Sequence, residues 1–309
     1  MRTVEVHRVM DPREADALVG ETVPASDPDP AREETVWVDA DTGDTVAIMA
    51  RTPGDVSALR RAVLSLKWGT TLRGASGLRN ESRVFGYMAR KPVLLRDGCQ
   101  ASTLAADFPH EHAQIAGLSG PLSKILAGLV PEEAERLAAT PVGHDWRLGD
   151  GPWTSGVINR TSALPYHRDG ANFDAWSAMP ALRRGTRGGH LHVPEYGITL
   201  PVRDGMTLFF NGFQIVHGVT PIQGTAPDGY RITIVFYCLR GMKDCHTYAQ
   251  EQHLAASKRT ERERKLAASI DAGEAPEWIN SRKSMREDTF AKALDTRFRE
   301  GNNPVEVDP

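Results

Sequence analysis

Four side chains in this sequence have the types and spacing for metal chemistry. His167-Arg168-Asp169 puts an imidazole and a carboxylate two positions apart. On extended backbone such residues share a face, so both groups aim at one point. Taken alone, a His-x-Asp pair is common on protein surfaces. His217 lies in an apolar run, QIVHGVTPI, where a lone histidine is usually a hydrogen-bonded core residue. Together, two imidazoles and one carboxylate form the ligand set of non-haem iron(II) oxygenases, which leaves neighbouring coordination positions open. Arg231 follows in GYRITIVFY. A guanidinium inside an apolar strand is costly unless it meets a carboxylate, and its fork matches one in two places. The intervening IQGTAPDG reads as a hairpin turn, so the His217 and Arg231 runs are expected to pair antiparallel and bring the arginine back toward the metal. The ordered set predicts iron(II) held by His167, Asp169 and His217, with Arg231 receiving a carboxylate.

Other candidates are weaker. His190 and His192 alternate in GGHLHVPEY but lack a third ligand. His110 and His112 are two apart on an expected helix, hence on different faces. Cys238 and Cys245-His246 have no CxxC partner, which argues against structural zinc. Three cysteines, Cys99, Cys238 and Cys245, are a sparse and odd set. They predict no disulfide framework and a reducing, cytoplasmic compartment (nuclear in a eukaryote).

The elements that must position these groups are partly legible. Residues 36–50 cluster apolar residues around Asp-Thr-Gly-Asp, the mark of a hairpin. Asp55 can cap a helix that places Val56, Leu59, Val63 and Leu66 on one face. Residues 101–139 predict two helices broken near Gly117–Pro121, the second able to split at Pro131. From 153 to 240, short β-rich runs punctuated by Gly, Pro, Asn and Asp suit an antiparallel sandwich or barrel. After 246 the chain turns helical and charged, with a further short helix expected around 288–298. The expected division is 1–66, an N-terminal hairpin and helix packing on the core; 67–246, the β core with a helical insert; and 247–309, a helical extension. One compact catalytic domain results.

Composition narrows the field without deciding it. The 309 residues are 40% hydrophobic and 25% charged, ordinary for a soluble protein. No run of about 18 apolar residues is present, so no transmembrane helix or membrane partner is expected. The first twenty residues carry acids within their apolar stretch, unlike a signal or transit peptide. A net charge of −3 excludes a globally basic nucleic-acid binder but not a local patch. Such a patch exists in residues 67–96, where Lys67, Arg73, Arg79, Arg83, Arg90, Lys91 and Arg96 face the one acid Glu81. Arg183, Arg184 and Arg187 form a second basic set. The KRTERERK run at 258–265 mixes signs and reads as a solvated helix face.

Across residues 68 to 240 the sequence resembles the TET/JBP family of nucleic-acid-modifying oxygenases. The resemblance is carried by the TSG-I-N lead-in, HRDGAN, Gly188-Gly189, VPEYG, and HGVTP followed by YRITIVFY. Upstream, SGLRNESRVFGYMARKPVLLRDGC resembles a segment of the family's small bacterial, phage and fungal members. It implies an α+β fold, mainly β: a double-stranded β-helix (jelly roll) with flanking helices. It also implies an Fe(II)/2-oxoglutarate-dependent dioxygenase, consuming O2, that hydroxylates the 5-methyl group of 5-methylcytosine or thymine in DNA. Carried over by position, His167, Asp169 and His217 match the iron ligands and Arg231 the 2-oxoglutarate anchor. Asn172 matches a residue contacting the target base, and Tyr237 an aromatic stacking on it. Leu239 departs from the pattern, because members acting on 5-methylcytosine often carry a histidine there; thymine or another methylated base stays open. Arg73, Arg79 and Arg83 are the expected phosphate contacts. A 2-oxoglutarate-dependent hydroxylase of a free small molecule is the alternative, and a monomer is the expected state.

Overall fold

The computed structural model describes residues 1–68, 70–73, 78–91 and 96–273, with 70–73 and 78–80 given as backbone alone. Its strands are β1 Arg2–Val6, β2 Thr35–Asp39, β3 Thr45–Arg51, β4 Thr70–Arg73, β5 Leu78–Met88, β6 Gln100–Ala101, β7 Ser155–Arg160, β8 Ser177–Arg184, β9 Thr186–Gly188, β10 Leu191–Val193, β11 Ile198–Leu200, β12 Met206–Phe210, β13 Gly218–Val219, β14 Ile222–Gly224 and β15 Tyr230–Tyr237. Its helices are α1 Pro12–Asp16, α2 Val56–Ser65, α3 Thr103–Asp107, α4 Pro109–Ala116, α5 Ser119–Leu129, α6 Pro131–Ala138 and α7 Tyr248–Asp271. The short helix expected around 288–298 lies outside the described residues.

A major sheet runs in the order β1-β2-β3-β12-β8-β15-β7-β5-β4, with β6 paired to β5. All its pairings are antiparallel except β1 on β2. A minor layer holds the three strands β11-β10-β13 and the pair β14-β9. This is the mainly β architecture with flanking helices that the sequence predicts; among the described residues no barrel closes.

β15 shows why the layers stack as they do. Its side chains alternate across the sheet with a period of two. Ile232, Ile234 and Phe236 face a core completed by Leu59 and Val63 of α2, Leu104 of α3, Ile115 of α4, Leu122 and Leu126 of α5 and Leu137 of α6. Arg231, Thr233, Val235 and Tyr237 face the other way, into a cavity. A second core, with Met179, Leu208 and Phe210 from the major sheet and Leu191, Val193 and Leu200 from the minor one, seals the two sheets together.

The 36–50 hairpin forms as β2 and β3. Asp55 caps α2, its carboxylate accepting from the amides of Ser57 and Ala58 at 2.8 and 3.1 Å. In the 101–139 stretch the chain breaks between Ala116 and Ser119 and the second helix splits at Pro131, as the sequence allows, while the first also divides at Pro109, giving four short helices. Pro109 and Pro131 each occupy the first turn of a helix, the place where a missing N–H costs nothing, and each therefore ends the helix before it.

Two more expectations are corrected. The His217 and Arg231 runs do not pair. β13 joins β10 and β14 joins β9, while β15 lies between β7 and β8. The turn between them crosses from one sheet to the other. The cysteines also do not all stay reduced: Cys99 and Cys245 form a disulfide, with Cα atoms 5.9 Å apart, and only Cys238 remains as a buried thiol. An odd count leaves room for one pair, and a separation of 146 residues hides it from any local spacing rule. The cysteine argument for a reducing compartment loses its premise. No helix among the described residues is long and apolar enough to cross a membrane.

Among the described residues, those of Met1–Arg90 with Cys99–Tyr248 form one compact unit, and Lys91 and residues 96–98 with residues 249–273 form another. The first 66 residues give three strands to the major sheet of the first unit. In the second unit Arg262 pairs with Asp97, and Glu261 of α7 meets Lys258 and Lys265 at 3.3 and 2.9 Å, the solvated i,i+3 and i,i+4 pattern its sequence predicts.

Candidate active site

The cavity between the two sheets gathers the four residues the sequence singles out. His167, Asp169 and His217 line it from the minor side and Arg231 from the major sheet, with Tyr237 farther along the same strand face. The backbones of His167 and His217 exchange both amide hydrogen bonds, at 2.9 and 3.0 Å, so the two rings lie side by side with centroids 4.4 Å apart. Asp169 is drawn in by its own amide, which donates to Gly212 O at 2.8 Å. Its carboxylate oxygens sit 3.8 Å from His167 Nε2 and 4.0 Å from His217 Nε2. Among the described residues this is the one cluster of three such groups whose ligand atoms converge.

Both imidazoles are oriented by the chain itself. Nδ1 of His167 lies 2.8 Å from Pro165 O and Nδ1 of His217 lies 3.1 Å from Ile215 O. A carbonyl can only accept, so each Nδ1 carries the proton and each Nε2 lone pair faces Asp169. Burial, with His167 beside it, pushes His217 down to about 4. Its ring is neutral near pH 7, as a metal ligand must be. Gly212 leaves the necessary room, for a Cβ there would come within 2.5 Å of Asp169 Oδ2 and 3.1 Å of His217 Cε1.

Arg231 is 1% exposed. Its Nε donates to Gly189 O at 2.5 Å, while Nη2 is buried and donates to no described residue. Burial, aided by neighbouring Arg183, pushes this guanidinium down to about 9. Gly189 has φ +68°, and a Cβ on it would meet Arg231 Cδ at 2.6 Å. Of the Gly188-Gly189 pair, Gly189 thus makes room for the arginine, while Gly188 clears Pro221 O, which a Cβ there would overlap. A buried donor sharing a cavity with two oriented imidazoles and a carboxylate suits an anion bound to a divalent metal. The residues present fit iron(II) and a keto-dicarboxylate such as 2-oxoglutarate.

Other sequence candidates are placed as follows. Asn172 is buried, its amide donating to Asp169 O at 2.9 Å, and its backbone bridges to Leu239. Leu239 packs beside Cys99, Trp146 and Met242. His192 Nδ1 meets the Tyr166 hydroxyl at 2.8 Å, and His190 Nδ1 accepts from Val202 N at 3.1 Å; both are structural. Of the second basic set, Arg183 is spent on Val202 O at 2.6 Å and on Thr186 O and Gly188 O at 3.0 Å, and Arg184 pairs with Asp228. These two are braces, not free cations. In the first set, Arg83 donates from Nε to Lys67 O at 2.7 Å and lies over Phe108; the side chains of Arg73 and Arg79 lie outside the described residues. Sequence reasoning overlooked Glu195, buried beside the ligand segments; its one signal is an acid in an otherwise apolar, glycine-ended run, VPEYG.

Comparison with solved structures settles the architecture. NgTET1, in a complex with 5mC DNA, superposes with a TM-score of 0.54 at 14% identity, covering 77% of this chain and 95% of that one. The two proteins share one fold. A 2OG-Fe(II) oxygenase family oxidoreductase from Burkholderia pseudomallei (TM-score 0.44, 14% identity, 77% and 96% covered) and OsALKBH1 (0.40, 16%, 62% and 96%) are more distant likenesses. No family model and no curated protein matches the chain.

Proposed function

We propose that this protein is an Fe(II)/2-oxoglutarate-dependent dioxygenase that hydroxylates the 5-methyl group of a pyrimidine, 5-methylcytosine or thymine, in DNA. The observation that carries the oxygenase reading is the shared cavity: two oriented imidazoles and a carboxylate at one end, and a buried guanidinium with an unmet donor at the other. His167, Asp169 and His217 hold the metal. Arg231 binds the distal carboxylate of 2-oxoglutarate through Nη2. When bound, the iron and its keto-acid supply the oxidising power, with O2 consumed and succinate and carbon dioxide released. The protein's share is orientation and dryness. The apolar walls, among them Leu191, Phe210, Val219 and Val235, exclude water that would otherwise compete with the substrate methyl group.

The nucleic-acid part rests on the shared fold with NgTET1, whose structure holds 5mC DNA, and on the sequence motifs. A duplex base must leave the stack to reach such a cavity. Tyr237 lines it and offers a stacking face. Asn172, whose backbone amide rests on Asp169 O, is assigned the base edge by its place in the HRDGAN motif. Leu239 stands where members of the family acting on 5-methylcytosine often carry a histidine, which leaves thymine or another methylated base open. Arg73, Arg79 and Arg83 contact phosphates. A free small-molecule substrate is the second reading, favoured by one finding: Arg183 is spent on carbonyls within the protein and Arg184 pairs with Asp228.

The test is incubation of the protein with Fe(II), 2-oxoglutarate and either 5-methylcytosine-containing or unmethylated duplex DNA, followed by mass spectrometry of nucleosides. The expected product is a 5-hydroxymethylpyrimidine that Asp169→Ala fails to make. Succinate release without any modified nucleoside moves the assignment to a small molecule. Absence of both iron binding and succinate release removes the oxygenase reading.

A further inference from the structure

We propose that Glu195 is a positioning residue for the metal ligands, tying the His167–Asp169 segment to the His217 segment through a single buried carboxylate oxygen. The inference rests on the metal-site reading above and assigns a role to an acid that the reaction itself does not use.

Glu195 is 2% exposed. A buried carboxylate needs charge partners and hydrogen bonds to be tolerated. Its Oε1 accepts from Arg168 Nη2 at 3.1 Å and from the amide of Val216 at 3.1 Å. Those two donors are not arbitrary. Arg168 stands between the ligands His167 and Asp169, and Val216 immediately precedes His217. Because alternate residues of extended chain point to opposite faces, Arg168 aims away from the metal and into the layer behind it. One oxygen atom thus grips the back of both ligand-bearing segments, one residue from a ligand on each.

The grip is itself anchored. Glu195 sits in a 3-10 turn, Pro194–Tyr196, whose backbone carbonyl at Glu195 accepts from the amides of Val9 and Met10 at 2.8 and 3.2 Å. Arg168 is also held by Asp16 Oδ1, 2.5 Å from its Nε. Arg8 lies 4.0 Å from Glu195 Oε2 and hydrogen-bonds the Tyr196 hydroxyl at 2.9 Å. The backbones of the two segments are joined by the His167–His217 pair, by Asp169 N on Gly212 O at 2.8 Å and by Val219 N on Leu164 O at 2.9 Å. The Glu195 contacts add an anchor behind the ligands, at the Arg168 side chain and the Val216 amide, and so hold the backbone next to a ligand on each segment.

The test is Co(II) binding to the intact protein, followed by the ligand-field spectrum and by the rise in Tm on metal addition. Glu195→Gln should weaken Co(II) binding by about 10–100-fold, the usual effect of removing an outer-shell partner, alter the spectrum, and shrink the metal-induced rise in Tm. A merely structural role would lower the metal-free Tm and leave the rise and the spectrum intact. Because Glu195→Gln leaves Arg168 short of a counter-charge, the double variant Arg168→Met/Glu195→Gln removes both charges together; it too should bind weakly while folded. Wild-type-like affinity and spectrum in either folded variant overturn the proposal. If wild-type protein itself takes up no Co(II), the metal-site reading fails and this inference with it.

Discussion

A buried guanidinium whose Nε donates to a carbonyl and whose Nη2 meets no acceptor among the described residues is unfavourable without a bound anion. A buried donor left unmet costs about 1–3 kcal/mol, and Arg231 keeps such a donor at Nη2. The residue is therefore retained for what it binds and not for what it stabilises. Arg231→Met fills the same space without charge. It is expected to raise the stability of the metal-free protein by about 1–3 kcal/mol in urea unfolding, and to abolish 2-oxoglutarate binding to Mn(II)-loaded protein measured by calorimetry. Loss of stability together with unchanged keto-acid affinity would show that the arginine is a brace, as Arg183 is. The same logic separates Arg183 and Arg184, whose donors are met by carbonyls and by Asp228, from Arg231.

At the scale of elements, β15 divides structure from chemistry by the parity of its residues. Ile234 is fully buried on the helix side, and Thr233 faces the cavity. Ile234→Ala should cost about 2–5 kcal/mol by the usual large-to-small penalty, read in chemical denaturation, with metal affinity of the folded protein unaltered. Thr233→Val removes a hydroxyl on the cavity face; it should cost less stability than Ile234→Ala while changing keto-acid affinity. A reversed outcome would mean that the register of β15 on β7 and β8 is wrong by one residue, since such a slip moves every side chain to the other face.

The whole first unit is closed by the Cys99–Cys245 disulfide. Its ends are 146 residues apart, so it spans most of the β core. A cross-link of that length removes loop entropy from the unfolded chain equivalent to about 5 kcal/mol in the chain-entropy limit, and typically about 2–4 kcal/mol in practice. The Cys99→Ser/Cys245→Ser variant should unfold at correspondingly lower denaturant, and reductant should lower the midpoint of wild type but not of the variant. Equal midpoints for wild type and variant without reductant would mean that the bond contributes nothing in solution.

The chain's own sequence determined which groups could converge on a metal and much of the local structure. His-x-Asp, His217 and Arg231 were legible because few residue types bind iron and fewer tolerate burial as a cation. The Asp55 cap, the hairpin at β2 and β3, and the period-two run of β15 were legible because they depend on neighbours within a few positions. Contacts between distant segments were not. Nothing local in QIVHGVTPI and YRITIVFY says whether they pair with each other or with strands tens of residues away, and both pair elsewhere because each face must meet a complementary layer. The same holds for Cys99 with Cys245, for the bracing of Arg183, and for Glu195. A buried acid becomes meaningful only when the fold shows which two segments its carboxylate reaches.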